Sequence, residues 1–176
     1  WGGTVQFNFS TIDELVFTTV PHEVEHLYQG EFLAGRTVFT PGWWIEGDAT
    51  FYEMSDRGDV WTYVNNKVQS GDLPVLLQGD GPTTSGVDAL DGYYIGFTFF
   101  AWVDEKWGID MHRKIMNLLA EDIAFTTAVE QATGMSINEL ESEWRVWLGA
   151  PAVVPTLIPT WTPVPMPLFV TPTPQQ

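Results

Sequence analysis

Two histidines and the glutamate that follows the first of them are the residues of this chain best suited to chemistry. His22 and His26 lie four positions apart in "VPHEVEHLYQG", residues 20–30, and are two of the three histidines in the sequence. On a helix this spacing puts both imidazoles on one face, where they can reach one ion. Zinc takes neutral imidazole ligands, and a catalytic zinc site leaves one position to water. Glu23 could take the proton of that water and pass it to a leaving amine.

A third ligand is needed, and Glu46 in "WWIEGDATFY" is the candidate. It lies twenty positions after His26 on a predicted second helix, and the loop between the helices contains a Pro-Gly pair that favours a chain reversal. The sequence therefore predicts one zinc ion (Zn2+) held by His22, His26 and Glu46. The alternative is an acidic helix that carries two surface histidines. Between the histidines, Val24 is expected to face the core and Glu25 the solvent.

The helix that carries the histidines has recognisable start and stop signals. Ser10 and Asp13 form a capping-box-like start, and Gly30 is the predicted stop. Pro21 interrupts the pattern, because proline removes a backbone donor from a helix interior. It either kinks one long helix or lies in the first turn of a shorter one.

The remaining chain is predicted to be mostly helical. An alternating segment, "TVQFNFS", predicts one edge strand at residues 4–10. Further helices are predicted at residues 43–55, 60–68, 93–108, 111–121, 124–134 and 136–149, of which 93–108 is apolar on nearly all sides and therefore buried. Ser136 and Glu139 form a capping box at the start of the last helix. The nine tryptophans predict a core rich in aromatic side chains.

Composition limits the classes of partner. Seven Lys and Arg residues stand against 23 Asp and Glu, which gives a formal net charge of -16 and argues against nucleic acid and anionic membranes as partners. The absence of cysteine excludes disulfides and thiolate metal sites. The longest apolar run, at residues 93–103, is too short to span a bilayer.

A change of composition divides the chain into a domain at residues 1–149 and a tail at residues 150–176. The tail contains eight of the twelve prolines and no charged residue, so we expect an extended or disordered linker of the kind that spaces domains outside a cell. Because the first residue is Trp1 rather than Met, we interpret the chain as a truncated or processed form.

Several segments together resemble the peptidase-MA-like family of gluzincin zinc metallopeptidases. These are "HEVEHLYQ", "WWIEGDATFYE", "LPVLL", "YYIGFTFFAWVDEKWG" and "AVEQATGMSINELESEWRVWL", and the resemblance covers about residues 15–148. It implies zinc ligands at His22, His26 and Glu46, Glu23 as general base, and a tyrosine at the head of the buried helix that matches Tyr93. The family's upstream sheet is mostly missing, so the domain is expected to be N-terminally truncated.

Three assignments remain open at this stage. Tyr93 could donate a hydrogen bond to a developing oxyanion, but Tyr94 is a rival and a structural role in an aromatic core is the alternative. His112 is either a second transition-state donor or, as we expect, a surface residue of a helix. The Asp-rich loop at residues 80–91 could bind calcium, although a solvated loop is the better interpretation.

The expected fold is α+β and predominantly α-helical: a gluzincin-like zinc peptidase domain with the remnant of a small β-sheet and a disordered Pro/Thr-rich tail. The expected function is that of an extracytoplasmic zinc metallopeptidase, secreted or at the cell surface, which hydrolyses peptide or protein substrates. The alternative is a catalytically silent zinc-holding or structural binding module on an extracellular Pro/Thr-rich stalk.

Overall fold

The computed structural model describes residues 10–152, and within that range the chain is predominantly helical and contains no β-strand. The helices are α1 (Ile12–Glu14), α2 (Val20–Phe32), α3 (Gly42–Tyr52), α4 (Gly58–Ser70), α5 (Gly96–Trp107), α6 (Asp110–Ala120), α7 (Phe125–Thr133) and α8 (Ile137–Trp147). Two π-helical turns, π1 (Leu15–Thr19) and π2 (Asp91–Ile95), lead directly into α2 and α5, and a 3₁₀ turn occupies Gly86–Asp88.

The helical part of the predicted fold is thus confirmed. The predicted strand at residues 4–10 lies outside the described residues except for Ser10, which is a bend, and the Pro/Thr-rich tail lies outside them from residue 153 onward. None of the helices described here combines the length and apolar character that a membrane span requires.

Aromatic side chains fill the centre of the molecule, as the tryptophan content predicts. Trp43 and Trp44 on α3 are fully buried and pack against the rings of Phe99, Phe100 and Phe125 at centroid distances from 4.5 to 6.0 Å. Edge-on and tilted pairs of this kind add to the free energy gained by burying the rings themselves. The helix that carries Glu46 is therefore anchored in the core by its own first turn.

Two glycines allow α3 and α5 to touch backbone to backbone. A Cβ atom on Gly47 would lie 2.5 Å from the carbonyl carbon of Gly96, and one on Gly96 would lie 2.4 Å from the carbonyl oxygen of Trp43. Any larger side chain would push the helices apart, because a core packed at crystal-like density has no spare room. This close approach fixes the position of Glu46, which precedes Gly47.

The chain around Pro21 forms one continuous helical rod, in which π1 joins α1 to α2 without a break. Pro21 lies in the first turn of α2. Because proline has no N–H, the carbonyl of Phe17 lacks its α-helical partner four residues on. The backbone N–H of Met54 donates to that carbonyl instead, at 2.6 Å. Of the two interpretations of Pro21, the structure shows a position in the first turn of α2, which the π turn π1 precedes. The hydrogen bond to the freed carbonyl joins the rod to the end of α3.

Some predicted helix ends are wrong. The first helix is capped by Thr11, whose hydroxyl accepts from the Glu14 N–H, rather than by the pair Ser10 and Asp13. Gly30 does not end α2, which continues to Phe32, because an exposed glycine in a helix carries only a modest cost and the packed face extends past it. The second helix ends at Tyr52 rather than at residue 55, and α4 is longer than predicted, since its Gly71 cap follows Ser70.

The C-terminal helices agree with the sequence pattern. The capping box of Ser136 and Glu139 is present at the start of α8. Further along α8, Trp144 is fully buried and donates its indole N–H to the hydroxyl of Thr98 on α5. Glu141 is also fully buried, where its carboxylate accepts from the backbone N–H groups of Leu76 and Leu77 in the loop after α4. That carboxylate satisfies loop donors that would otherwise be unpaired inside the protein.

Candidate metal centre

The three predicted ligands meet between α2 and α3. The Oε2 atom of Glu46 lies 3.3 Å from Nε2 of His22 and 3.2 Å from Nε2 of His26, and the two Nε2 atoms are 3.1 Å apart. One donor atom from each residue lies within 4.8 Å of the others, and no other group of this kind occurs among residues 10–152. The one-turn spacing on α2 brings the imidazoles together, and the position of α3 adds the carboxylate.

The second nitrogen of each imidazole has a hydrogen-bonding partner of its own. Nδ1 of His22 lies 2.9 Å from Oε1 of Glu53, and Nδ1 of His26 lies 3.0 Å from Oε1 of Gln29. Carboxylate and amide oxygens accept hydrogen bonds, so each Nδ1 carries a proton and Nε2 is the nitrogen that faces the centre. This is the arrangement that imidazole metal ligands need.

Arg57 holds Glu53 in place. Its guanidinium donates to Oε2 of Glu53 at 2.6 Å, to the Glu53 carbonyl at 2.7 Å and to the Thr50 carbonyl. The last two bonds satisfy carbonyls at the C-terminal end of α3, where helices leave acceptors free. Gln29 is held in the same way, since its amide donates to the Ile45 carbonyl at 3.0 Å. Both supporting side chains are therefore fixed by α3.

The charges of the cluster are strongly coupled. Burial disfavours the charged form of His22, but the hydrogen bonds to Glu46 and Glu53 outweigh it and raise the pKa of His22 to about 9. The hydrogen bond to Glu46 likewise raises the pKa of His26. Burial alone would raise the pKa of Glu46, yet its bonds to the two histidines lower that pKa to about 2. In the metal-free protein, the proton on the His22 imidazole thus compensates the negative charge of the ionised Glu46.

Tyr93 lies beside the cluster, and Glu23 follows His22 in the chain. Glu23 is half-buried, and its carboxylate makes no hydrogen bond or ion pair within residues 10–152. The ring of Tyr93 stacks on the His22 imidazole at a centroid distance of 6.0 Å and an angle of 15°. Burial, followed by the nearby Glu46 carboxylate, raises the pKa of Tyr93, so the phenol keeps its proton. Tyr94 instead donates to Oδ2 of Asp59 at 3.2 Å.

A cavity of about 520 Å³ adjoins the cluster on the side of His22. Thr50, Glu53, Arg57 and both tyrosines, Tyr93 and Tyr94, contribute to its wall. The cavity gives a substrate-sized space next to the metal ligands.

The orientation of α2 corrects the predictions for Val24 and Glu25. Val24 is 51% exposed, and it continues an outward apolar stripe that includes Val16 and Val20. Glu25 is half-buried and lies within hydrogen-bonding reach of Asp48 on α3. The cause is the helix geometry: Glu25 precedes Gln29 by one turn, and both share the flank that packs on α3.

The expectation that His112 is a surface residue is wrong. It is 3% exposed, and its Nε2 lies 3.1 Å from the Phe100 carbonyl. Burial lowers its pKa to about 4, so the ring is neutral near pH 7. It lies beside Asp48 behind α3, outside the group formed by the three ligands.

In the Asp-rich loop, Asp91 has a structural role. It is buried, accepts from the Tyr63 hydroxyl at 2.7 Å and pairs with Lys67 at 2.9 Å, and so it joins α4 to π2.

Sequence reasoning missed Glu53, Arg57, Gln29 and Asp48. A weak signal exists for Gln29, which is three positions after His26. On a helix this offset returns to the same face, so Gln29 could have been proposed as a support for His26. Glu53 follows the last residue of α3 and contacts His22 on another element, so no local offset indicates it.

The donor set suits zinc, since two imidazole nitrogens and one carboxylate oxygen match the ligands of catalytic zinc sites.

No family model matches the sequence, and neither the curated proteins nor the solved structures contain a match to it.

Proposed function

We propose that this protein is a zinc-dependent metallopeptidase of gluzincin type. The observation that supports this most is the convergence of His22, His26 and Glu46 within 4.8 Å, next to a half-buried glutamate without a partner in the described chain. Any metal of suitable affinity could occupy such a site; the two imidazoles and single carboxylate favour zinc over magnesium or calcium, which prefer oxygen ligands.

The residues of this chain take distinct roles in the proposed reaction. His22, His26 and Glu46 would hold a zinc ion, which would supply a Lewis acid for the scissile carbonyl and acidify an attacking water. Glu23 takes a proton from that water and delivers it to the leaving amine. The Tyr93 phenol donates a hydrogen bond to the oxyanion that develops on the carbonyl. Glu53 and Gln29 keep both imidazoles oriented with Nε2 inward.

The proposed substrate is a peptide or protein, and the proposed location is outside the cytoplasm, in a secreted or cell-surface protein. The Pro/Thr-rich composition of residues 150–176 supports that location. The proposed location and the proposed chemistry are independent, so evidence against one does not contradict the other.

The Glu23→Gln variant tests the chemistry. We expect purified wild type and variant to contain equal zinc, near one ion per chain, while hydrolysis of a peptide library falls by about 100-fold or more in the variant. Glu31→Gln is the matched control, because it removes an equal charge from an exposed position on the same helix. If Glu23→Gln cleaves as fast as the wild type, Glu23 is not the base.

The same measurements separate the alternative, a silent zinc-holding module. That module would bind zinc through the same three ligands and yet show no hydrolysis in wild type. If protein purified without added metal has a melting temperature that neither zinc nor a chelator changes, the peptidase and the silent zinc-holding module are both excluded.

A further inference from the structure

A second cavity, of about 360 Å³, lies on the other flank of α2 between α2, α3 and α6. Its polar wall includes Glu25, Asp48 and His112, and its apolar wall is formed by Tyr28, Phe32, Tyr52, Ile109 and Met116. None of the three predicted metal ligands lines it. The proposed peptidase chemistry gives this cavity no task.

Two hydrogen-bond acceptors face each other in the cavity without a donor. Oδ1 of Asp48 and Nδ1 of His112 are 3.8 Å apart, and neither has a partner among residues 10–152. Asp48 and His112 are each only 3% exposed. Since Nε2 of His112 donates to the Phe100 carbonyl, Nδ1 of the neutral ring is a lone pair. Buried polar atoms left unpaired are costly, so a donor that reaches both atoms would stabilise the folded protein.

A third acceptor stands beside them. The Glu25 carboxyl lies within hydrogen-bonding reach of Asp48, which places two acidic groups side by side in a half-buried space. The other oxygen of Asp48 is already taken by the Gln29 amide at 3.3 Å. At the rim, Arg113 is paired with Asp110 at 2.6 Å, so its charge is locally compensated.

The geometry favours an organic cation over a metal ion. Glu25, Asp48 and His112 do not form a group whose donor atoms converge closely enough to share a metal, since only the three ligands of the candidate centre do so in the described chain. An ammonium group has three N–H donors, no acceptor and a positive charge. The aromatic and aliphatic wall suits a hydrocarbon chain attached to it, and two of the wall residues are tyrosines, whose faces attract cations.

We propose that this cavity binds a primary ammonium group on an apolar chain, with Glu25, Asp48 and His112 as the three acceptors. Such a group belongs to a free alkylamine or to the side chain of a lysine in a peptide. The bound ammonium would sit two hydrogen bonds from the candidate centre, because Gln29 joins Asp48 to Nδ1 of His26.

The test measures binding of n-hexylamine to the 176-residue chain by calorimetry, with n-hexanol as the uncharged analogue and Nα-acetyl-lysine methylamide as the peptide-borne source. We expect saturable binding of at least one of the two amines and none of hexanol. Hexylamine alone would identify a free amine as the ligand, and tighter binding of the lysine derivative would identify a peptide.

Two variants assign the binding to the cavity. Glu25→Gln and Asp48→Asn should each weaken amine binding by about tenfold or more, because the amide oxygen still accepts but no longer carries the negative charge that strengthens a hydrogen bond to an ammonium group. Glu31→Gln, on the exposed face of α2, should leave it unchanged. If Asp48→Asn fails to fold, Glu25→Gln decides alone. Absence of saturable binding of either amine, equal binding of hexanol, or equal affinity in Glu25→Gln and Glu31→Gln would overturn the proposal.

Discussion

At the scale of single residues, the candidate centre depends as much on the atoms behind the ligands as on the ligands. Each imidazole has two nitrogens, and only a partner on Nδ1 fixes which one faces inward. Glu53 supplies that partner for His22 with a charge, and Gln29 supplies it for His26 without one. The two histidines therefore differ in basicity although their spacing makes them look equivalent.

Removing the charge of Glu53 tests its positioning role. Glu53→Gln should weaken zinc binding by about tenfold, because the amide oxygen can still accept from Nδ1 but no longer raises the basicity of the ring. The measurement is a competition titration against a chelator of known affinity. Asp59→Asn removes a nearby charge without touching a histidine, and an equal loss in that variant would show a general field effect. A higher zinc affinity in Glu53→Asp than in Glu53→Gln would show that the carboxylate charge is the required feature.

The two adjacent tyrosines provide a second test at this scale. Tyr93→Phe should lower kcat by about 10- to 100-fold with zinc content unchanged, since a donor to the oxyanion is lost. Tyr94→Phe should have little effect, because that hydroxyl donates to Asp59. Peptide hydrolysis under saturating substrate measures both. A larger loss in the second variant would exchange the two assignments.

At the scale of elements, the site is formed by the contact of α2 with α3, and α3 is held in turn by α5. The Gly47–Gly96 contact lets α3 lie close to α5, and the buried tryptophans of its first turn prevent rotation. A ligand presented on such a helix has little freedom to relax, which is the condition for a well-ordered metal site.

Two alanine substitutions should have opposite signs. Gly47→Ala should lower the free energy of unfolding by about 1–3 kcal/mol, because its methyl group overlaps the backbone of α5. Gly30→Ala should raise it by about 0.5–1 kcal/mol, since nothing lies within 4 Å of its Cβ and alanine is the better helix former. Urea denaturation of the chelator-treated protein measures both. Equal changes would mean that the close crossing of α3 and α5 carries no energetic weight.

At the scale of the whole molecule, the net charge of -16 is accompanied by buried groups whose pKa values are shifted from the ordinary ones. Burial lowers the pKa of His112, whereas it raises that of Asp48, with Glu25 adding to the effect. The free energy of unfolding of the domain therefore depends on pH through these buried groups as well as through its surface charges.

His112 gives this dependence a definite sign. Its folded pKa of about 4 lies below the ordinary value of 6.5, so its contribution is fully present above pH 6.5 and is lost as the pH falls towards 4. The loss in free energy of unfolding should be on the order of 3 kcal/mol. In His112→Gln this component should vanish, although the variant starts less stable. Unfolding curves of chelator-treated protein at several pH values compare the two slopes, and parallel slopes would contradict the assignment.

The sequence predicted the shared helix face of His22 and His26 and most of the helices, because both rest on local spacing. His22 and His26 are one turn apart, and the capping box at Ser136 is complete within four residues. Asp48 and His112 escaped prediction because their burial arises from contacts between α3, α5 and α6, which no local pattern records. The prediction that α2 ends at Gly30 is wrong because α2 continues to pack against the protein after this residue, and glycine ends a helix only where that packing stops.

The hydrogen bond from Met54 to the Phe17 carbonyl has a further consequence. Because it joins the two ligand-bearing segments through backbone atoms alone, the exchange of the Met54 amide proton with deuterium reports on their docking in the absence of metal. A slowly exchanging Met54 would mean that the pocket is assembled before the ion arrives. The exchange rate of that amide therefore measures how often the contact between π1 and the end of α3 opens, and this contact exists because Pro21 cannot donate to the Phe17 carbonyl.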